Sequence, residues 1–152
     1  MLTLHLEILT IERRLFDDDV NMVVAPGSEG VLGILPRHAP VLTLLTYGEL
    51  QVKKDGEPDR YFAVGGGVME VQPDHVIVMA DSAERADEID VERAMASRRR
   101  AEELLSRADK TIDFSRAEAA LRRSDTRLKV AQRRRHLRDT RPAPREVDNT
   151  NL

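Results

Sequence analysis

The chain changes its hydrophobic rhythm once. At the amino end Leu4, Leu6 and Ile8 alternate with His5 and Glu7, the two-residue period of a strand with one buried face. Short apolar runs then recur at Val20 to Ala25, Val31 to Leu35, Val41 to Leu45, Leu50 to Val52, Tyr61 to Val64, Val68 to Val71 and Val76 to Ala80. Turn formers divide them: Pro26-Gly27-Ser28, Pro36, Pro40, Gly48, Asp55-Gly56, Gly65-Gly66-Gly67 and Pro73-Asp74. Short, β-branched runs at this spacing predict a sandwich or barrel.

After Asp81 the period lengthens. Val91, Ala94, Met95, Ala101, Leu104, Leu105 and Ala108 follow helical spacing behind Asp90, whose carboxylate can accept from the free N–H groups of a helix start. Phe114, Ala117, Leu121, Ser124, Leu128 and Ala131 repeat every three or four residues behind Asp113, with Ser106 to Ile112 as the turn. The expected fold class is α+β: an antiparallel β-sandwich over 1–84, then an α-helical hairpin over 85–136. A tail over 137–152, where Pro142 and Pro144 stop any helix, is expected to be disordered. The face shared by the two helices is rich in alanine. Backbones can approach there but little area is buried per residue, so the hairpin must lean on the sandwich, a partner or a ligand.

Charge divides where the rhythm does. Residues 1–81 hold 6 basic and 13 acidic side chains, and residues 82–152 hold 18 and 14, so a net of −7 is followed by +4. Two segments with different tasks fit that split. Aromatics make up 3%, so aliphatic residues must carry the core. With no cysteine, disulfides and thiolate metal sites are excluded. No apolar run approaches the roughly 20 residues that span a bilayer, and residues 1–10 alternate rather than forming a signal peptide. Any membrane association is expected to pass through a partner.

One stretch is specific at many consecutive positions: Gly27-Ser28-Glu29-Gly30-Val31-Leu32-Gly33-Ile34-Leu35-Pro36-Arg37-His38-Ala39-Pro40. It resembles the signature of F-type ATP synthase ε subunits, as does Val64-Gly65-Gly66-Gly67-Val68-Met69-Glu70-Val71. Asp87 to Ala94 and Ala101 to Leu105 are similar to that family's first carboxy-terminal helix. The likeness covers roughly Leu4 to Ala131. Glycines 27, 30 and 33 permit tight or positive-φ turns, and Pro36 and Pro40 stiffen the chain around His38.

The resemblance implies a non-catalytic central-stalk subunit at the cytoplasmic face of a bacterial plasma membrane, peripheral and within the ATP synthase complex. The sandwich would bind the γ subunit and stand on the c-ring, with Ser28, Glu29, Gly30, Val31 and His38 in the docking loop. Many members of that family carry a carboxylate where this chain has Val31, which leaves Glu29 as the nearby acid. The hairpin would fold on the sandwich in a permissive state, or extend along γ toward the catalytic α and β subunits and block hydrolysis.

Ile89-Asp90-Val91-Glu92-Arg93-Ala94 resembles the motif of ε subunits that bind ATP, with Glu84, Arg100, Arg123 and Arg127 at matching positions. The resemblance implies a regulatory ATP site formed by Glu84, Ile89, Asp90, Arg93, Ala94, Arg100, Arg123 and Arg127. Arginines seven or four apart share a helix face and can offer forked donors to phosphate. The plain alternative is that they are solvated or paired with Glu92, Glu102, Glu103 and Glu118. No obligatory cofactor is expected.

The remaining chemistry is sparse. His5, His38, His75 and His136 lack ligand-like spacing, and Asp17-Asp18-Asp19 is expected as a solvated acidic turn, so no metal site is expected. Gly65-Gly66-Gly67 lacks the Gly-Lys-Ser/Thr of a phosphate loop and is expected as a turn or bulge. No nucleophile motif appears. The basic run of Arg133, Arg134, Arg135, Arg138, Arg141 and Arg145 raises a second reading, a nucleic-acid-binding adaptor. Base-stacking aromatics are absent there, so no nucleic acid is expected, and acidic protein surfaces are the better partner.

Overall fold

The alternation at the amino end does what its period requires. In a computed structural model, which describes residues 2–107 and 113–139 with side chains through Arg134, Leu4, Leu6 and Ile8 are buried while His5 and Glu7 face outward. These residues form β1 (Leu4–Leu9). It is followed by β2 (Arg14–Val20), β3 (Met22–Gly27), β4 (Gly30–Ile34), β5 (Val41–Lys53), β6 (Arg60–Val71), β7 (His75–Ala80) and β8 (Ala83–Arg85). A 3-10 turn (Ala86–Glu88) then leads into α1 (Val91–Ser106) and α2 (Phe114–Asp139). The 108–112 part of the expected interhelical turn and the tail from 140 onward lie outside the described residues.

The strands follow the hydrogen-bonded order β2-β1-β7-β6-β5-β3-β4, with β8 also on β6. All pairings are antiparallel except β1 with β7, which run parallel from His5 opposite His75 to Leu9 opposite Met79. The chain returns to β1 only after five intervening strands, and a long connection permits the parallel direction that a tight hairpin forbids. Phe62, Leu50, Met69, Ile34 and Val23 fill the interior with the β1 leucines, and Phe16 meets Phe62 edge to face at 5.9 Å.

Several local expectations change. Asp17, Asp18 and Asp19 lie within β2, not in a turn. Asp17 and Asp19 take the outward positions, and the carboxylate of Asp18 is held by Lys54 Nζ at 2.6 Å, so β2 tolerates three acids at the sheet edge. Val20 to Ala25 is divided at Asn21, and Pro26 and Gly27 belong to β3, leaving Ser28 and Glu29 as the turn. Pro26 is accommodated because the β3–β5 register shifts between Val24 and Gly27. A β-carbon at Gly48 would lie 2.5 Å from that of Pro26, so Gly48 makes room for the proline and does not end a strand.

Gly65-Gly66-Gly67 is likewise inside a strand. β6 pairs with β8 over Phe62–Val64 and with β7 over Gly67–Val71, so it changes neighbour across the glycines. Gly66 and Gly67 have φ of 82° and 120°. A β-carbon on Gly67 would collide with the Met79 carbonyl oxygen. Only residues without side chains let one strand serve both neighbours there.

The helical caps form as expected. The Asp90 carboxylate accepts from Arg93 N and that of Asp113 from Arg116 N, both at 3.1 Å. α1 packs against α2, and α2 against β5, β6 and the 3-10 turn. Ala94 and Ala101 of α1 and Ala117 and Ser124 of α2 are buried, each pair seven residues apart on its helix. The Ser124 hydroxyl donates to the Ala120 carbonyl at 2.9 Å, which satisfies it inside that seam.

Gly67→Ala is expected to destabilise the sandwich by about 2–4 kcal/mol, from collision plus forced left-handed backbone. Gly56→Ala, at φ 79° with open space around it, should cost only about 1 kcal/mol. Thermal unfolding of the two variants measures the difference.

Candidate functional site

The helical arm sits on one face of the sheet through a small apolar contact and several arginines. Val130 and Ala131 of α2 pack on Ala63 of β6 and on Ile89, with Tyr61 and Val91 at the margin. Arg127 donates to both oxygens of Glu84, Nε to Oε2 at 2.7 Å and Nη2 to Oε1 at 3.0 Å. Arg133 forks onto Glu49 at 3.1 Å for each bond and lies over the Tyr61 ring at 5.3 Å. That hydrogen bonding, and the charge of Glu49, raise the Arg133 pKa further. Arg134 Nη1 donates to the Asp87 carbonyl at 3.1 Å, and Arg123 lies 5.9 Å over the Tyr47 ring. Tyr61, its phenol pushed up mainly by burial, accepts from Gln51.

The eight residues expected to form an ATP site fall into three places. Glu84, Arg123 and Arg127 line a cleft of about 400 Å³ between α2 and the sandwich, beside Tyr47, Ser82 and Arg13. Asp90 is the α1 cap, with the Arg93 backbone N–H on its carboxylate. Ile89 and Ala94 are buried, the first against α2 and the second in the interhelical seam. Arg93 and Arg100 stand exposed on α1 away from the cleft, Arg100 bonded to the Ser97 hydroxyl at 3.1 Å. Glu84 and Arg127 meet each other in that fork. Arg98 ties the helices together through Asp125 of α2 at 3.2 Å, and also pairs with Glu102 one turn along α1 at 3.1 Å.

The expected docking loop occupies the β3–β4 turn and the segment after β4. Ser28 and Glu29 are exposed, Gly30 has φ 137°, and Val31 is 74% exposed. Of the three signature glycines only Gly30 has positive φ. Gly27 instead lacks space, since a β-carbon would lie 2.7 Å from the Gly30 carbonyl oxygen. Arg37 takes φ 67°, rare for a side-chain-bearing residue, and its N–H is tied to the Pro73 carbonyl at 2.6 Å. His38 is partly exposed, with Nδ1 on the Ala39 carbonyl at 2.8 Å.

A further surface was not singled out by sequence reasoning. Leu44, Val68, Met79 and Leu9 are consecutive cross-strand neighbours on β5, β6, β7 and β1. They form an apolar row on the sheet face that the helices leave uncovered, with Leu44 62% and Met79 46% exposed. The next row holds Leu42, Glu70, Ile77, Glu7 and Asp17. The signal was the run of Val41 to Leu45, apolar at four of five positions with only Thr43 polar, where a strand with one wet face would alternate.

Beyond it lie two histidines. His5 reaches Asp19 through Nδ1 at 2.8 Å and Asp17 through Nε2 at 2.9 Å, and meets the His75 ring edge on at 5.5 Å. His75 Nε2 is 3.4 Å from Glu7 and has no hydrogen-bond partner among the described residues. Arg14 bridges Asp17 and Glu7. Among the described residues no group of three or more His, Asp or Glu has the arrangement to hold a metal ion.

Comparison with known proteins gives the same answer from both halves of the chain. Residues 3–86 match the family described as ATP synthase, Delta/Epsilon chain, beta-sandwich domain, and residues 87–132 match its long alpha-helix domain. The ATP synthase epsilon chain of Dehalococcoides mccartyi is 50% identical over 89% of this chain and 96% of its own length. That of Herpetosiphon aurantiacus is 50% identical over 88% of this chain and 97% of its own. A chain of the Euglena gracilis mitochondrial ATP synthase, in a structure of OSCP, F1 and the c-ring, has the same fold. It superposes with a TM-score of 0.75 over 86% of this chain and 81% of its own, at 21% identity.

The histidine cluster predicts a pH effect. The hydrogen bond to Asp19, then the surrounding carboxylates, raise the His5 pKa above its ordinary 6.5. A raised folded pKa contributes stability that is fully present below about 6.5 and lost as pH rises through the folded value. The urea midpoint should therefore fall between pH 5.5 and 8.5 by more in the natural chain than in His5→Gln.

Proposed function

This chain belongs to the ATP synthase epsilon chain family, a non-catalytic subunit of the rotary enzyme, and on that premise we propose that its sandwich couples the rotor while its helical arm regulates ATP hydrolysis. The observation that carries the reading is the separation of two apolar clusters. The sandwich closes its own core without a helical residue, whereas among the described residues the arm buries only Val130, Ala131 and Ile89 against Ala63. Lifting the arm would leave the sandwich interior dry. A segment with few buried contacts is the kind that can change position at low cost.

In this reading the partners divide by surface. The γ subunit takes the uncovered row of Leu44, Val68, Met79 and Leu9, a large apolar strip of the sort that marks a protein interface. The c-ring meets Ser28, Glu29, Gly30, Val31 and His38, with the exposed Val31 making that contact apolar more than ionic. The extended arm offers its arginines to acidic surfaces of the catalytic α and β subunits. Among the described residues no helix is long and apolar enough to cross a membrane. The bacterial relatives and the proposed c-ring contact support a peripheral place at the cytoplasmic face of a bacterial membrane. The nucleic-acid reading loses ground because, of its basic run, Arg133 bonds to Glu49 of the sandwich and Arg134 to the Asp87 carbonyl of the 3-10 turn in the folded state.

Regulatory ATP fits the same frame. The cleft that holds Glu84, Arg123 and Arg127 could seat part of a nucleotide, and Arg93 and Arg100 would have to turn toward it. A nucleotide that bound the folded arm better than the extended arm would favour the folded state by that difference. At low ATP that added bias is lost, and the acidic surfaces of the assembled enzyme would draw the arm out and suppress wasteful hydrolysis.

Two measurements test these points. A chain ending at Glu88 keeps β8 and the Arg85 bond to the Leu15 carbonyl, so its sandwich should fold. It should bind γ as tightly as the full chain while relieving inhibition of hydrolysis in the reconstituted enzyme. Loss of γ binding would sink the division of labour. Calorimetric titration with ATP should give saturable binding that disappears in an Arg93→Ala, Arg127→Ala double variant. No heat at millimolar ATP would remove nucleotide sensing and leave family membership untouched.

A further inference from the structure

Three residues of the sheet lie in one cross-strand row beneath α2: Glu49 of β5 pairs with Ala63 of β6, and Ala63 pairs with Glu84 of β8. Two strand spacings separate the carboxylate-bearing positions, about 9.6 Å. On the helix, Arg127, Val130 and Arg133 are spaced by three. Six residues advance about 9 Å along a helix, and three residues turn it by about 300°, so the two arginines flank Val130 on either side. The lengths match. Val130, fully buried, belongs to the apolar cluster with Ala63, Arg127 forks onto Glu84, and Arg133 forks onto Glu49, which is 13% exposed.

We propose that Glu49 and Glu84 are paired carboxylate latches that keep the arm folded with no ligand bound, by holding Arg133 and Arg127 on either side of an apolar pivot at Ala63. The geometry stands on the contacts alone. Its regulatory consequence rests on the reading of the arm given above. Apolar contact positions the arm but tolerates sliding along the row. Bidentate forks at both ends fix register as well as adding attraction. Lifting the arm breaks both forks together and unmasks Arg127 and Arg133, the charges an acidic partner would then take up. A nucleotide that engages Glu84 or Arg127 must replace one latch, while the Glu49 latch, outside the cleft, can persist.

The chain has no cysteine, so paired spin labels at Asp55→Cys and Glu118→Cys report one sandwich-to-arm distance in the full protein. Without nucleotide, the parent should show mainly one folded distance. Glu49→Gln and Glu84→Gln should each raise the ratio of released to folded arm about fivefold, and the double variant should raise it further. The swap Glu49→Arg with Arg133→Glu should restore the folded distance, which a general loss of stability would not allow. A double variant that keeps the parent's distance distribution overturns the proposal, as does a swap that fails to restore it while Glu49→Gln still folds. The regulatory reading is judged separately, by hydrolysis in the reconstituted enzyme. Arms that are released yet leave hydrolysis unchanged would refute that reading and leave the latches standing.

Discussion

The β5–β6 hairpin is the centre of the described fold, with β7, β8, β3 and α2 packed or paired directly on it. β6 pairs with β5 along nearly its whole length, then with β7 on one half of its other edge and β8 on the other half. Its first half also supplies Ala63, the floor on which the arm rests. A strand can hold two different neighbours on one edge only if it bends where they meet, and the glycines at 65, 66 and 67 are that bend. Side chains there would strike Ser82, Asp81 and Met79. The arm's seat is thus built by the same constraint that closes the sandwich, since β8 completes the carboxylate row only because β6 has released β7.

The arm is held differently from the core. Aliphatic side chains fully removed from water in the sandwich contribute about 1.5–3 kcal/mol each. The interhelical seam is alanine and serine, which allows close backbones and gives little in return. Among the described residues Val130 is the one larger α2 side chain fully buried in it or beneath it. Ion pairs at half-exposed sites contribute up to about 1 kcal/mol each, and several are needed to matter. The hairpin therefore stays folded on a balance of small contributions.

The charge asymmetry acquires a physical meaning from this balance. Acidic residues of the first segment and basic residues of the second do not simply repel or attract at a distance. Glu49 and Glu84 meet Arg133 and Arg127 in forks, while Asp17, Asp18 and Asp19 are neutralised locally by Arg14, His5 and Lys54. The uncovered sheet face, in contrast, keeps its apolar row exposed beside the carboxylates of Glu70, Glu7 and Asp17.

Periodicity alone determined the class of the fold. The change from two-residue to helical spacing after Asp81 separates strands from helices, and Asp90 and Asp113 cap the helices where their positions suggested. The glycine-and-proline signature identified the family. Local pattern could not say whether Gly48 or the three consecutive glycines end a strand or bend it, because backbone permissiveness serves both. The acidic triplet looked like a turn because its partners, Lys54 and His5, are distant in sequence or lie on another strand. Only the folded chain could decide that Glu84 faces Arg127 with Glu49 facing Arg133, and that Arg93 and Arg100 stand apart from them. Those pairings depend on the register of three strands and on the azimuth of one helix, quantities set by packing across the whole sheet and not by any short run of residues.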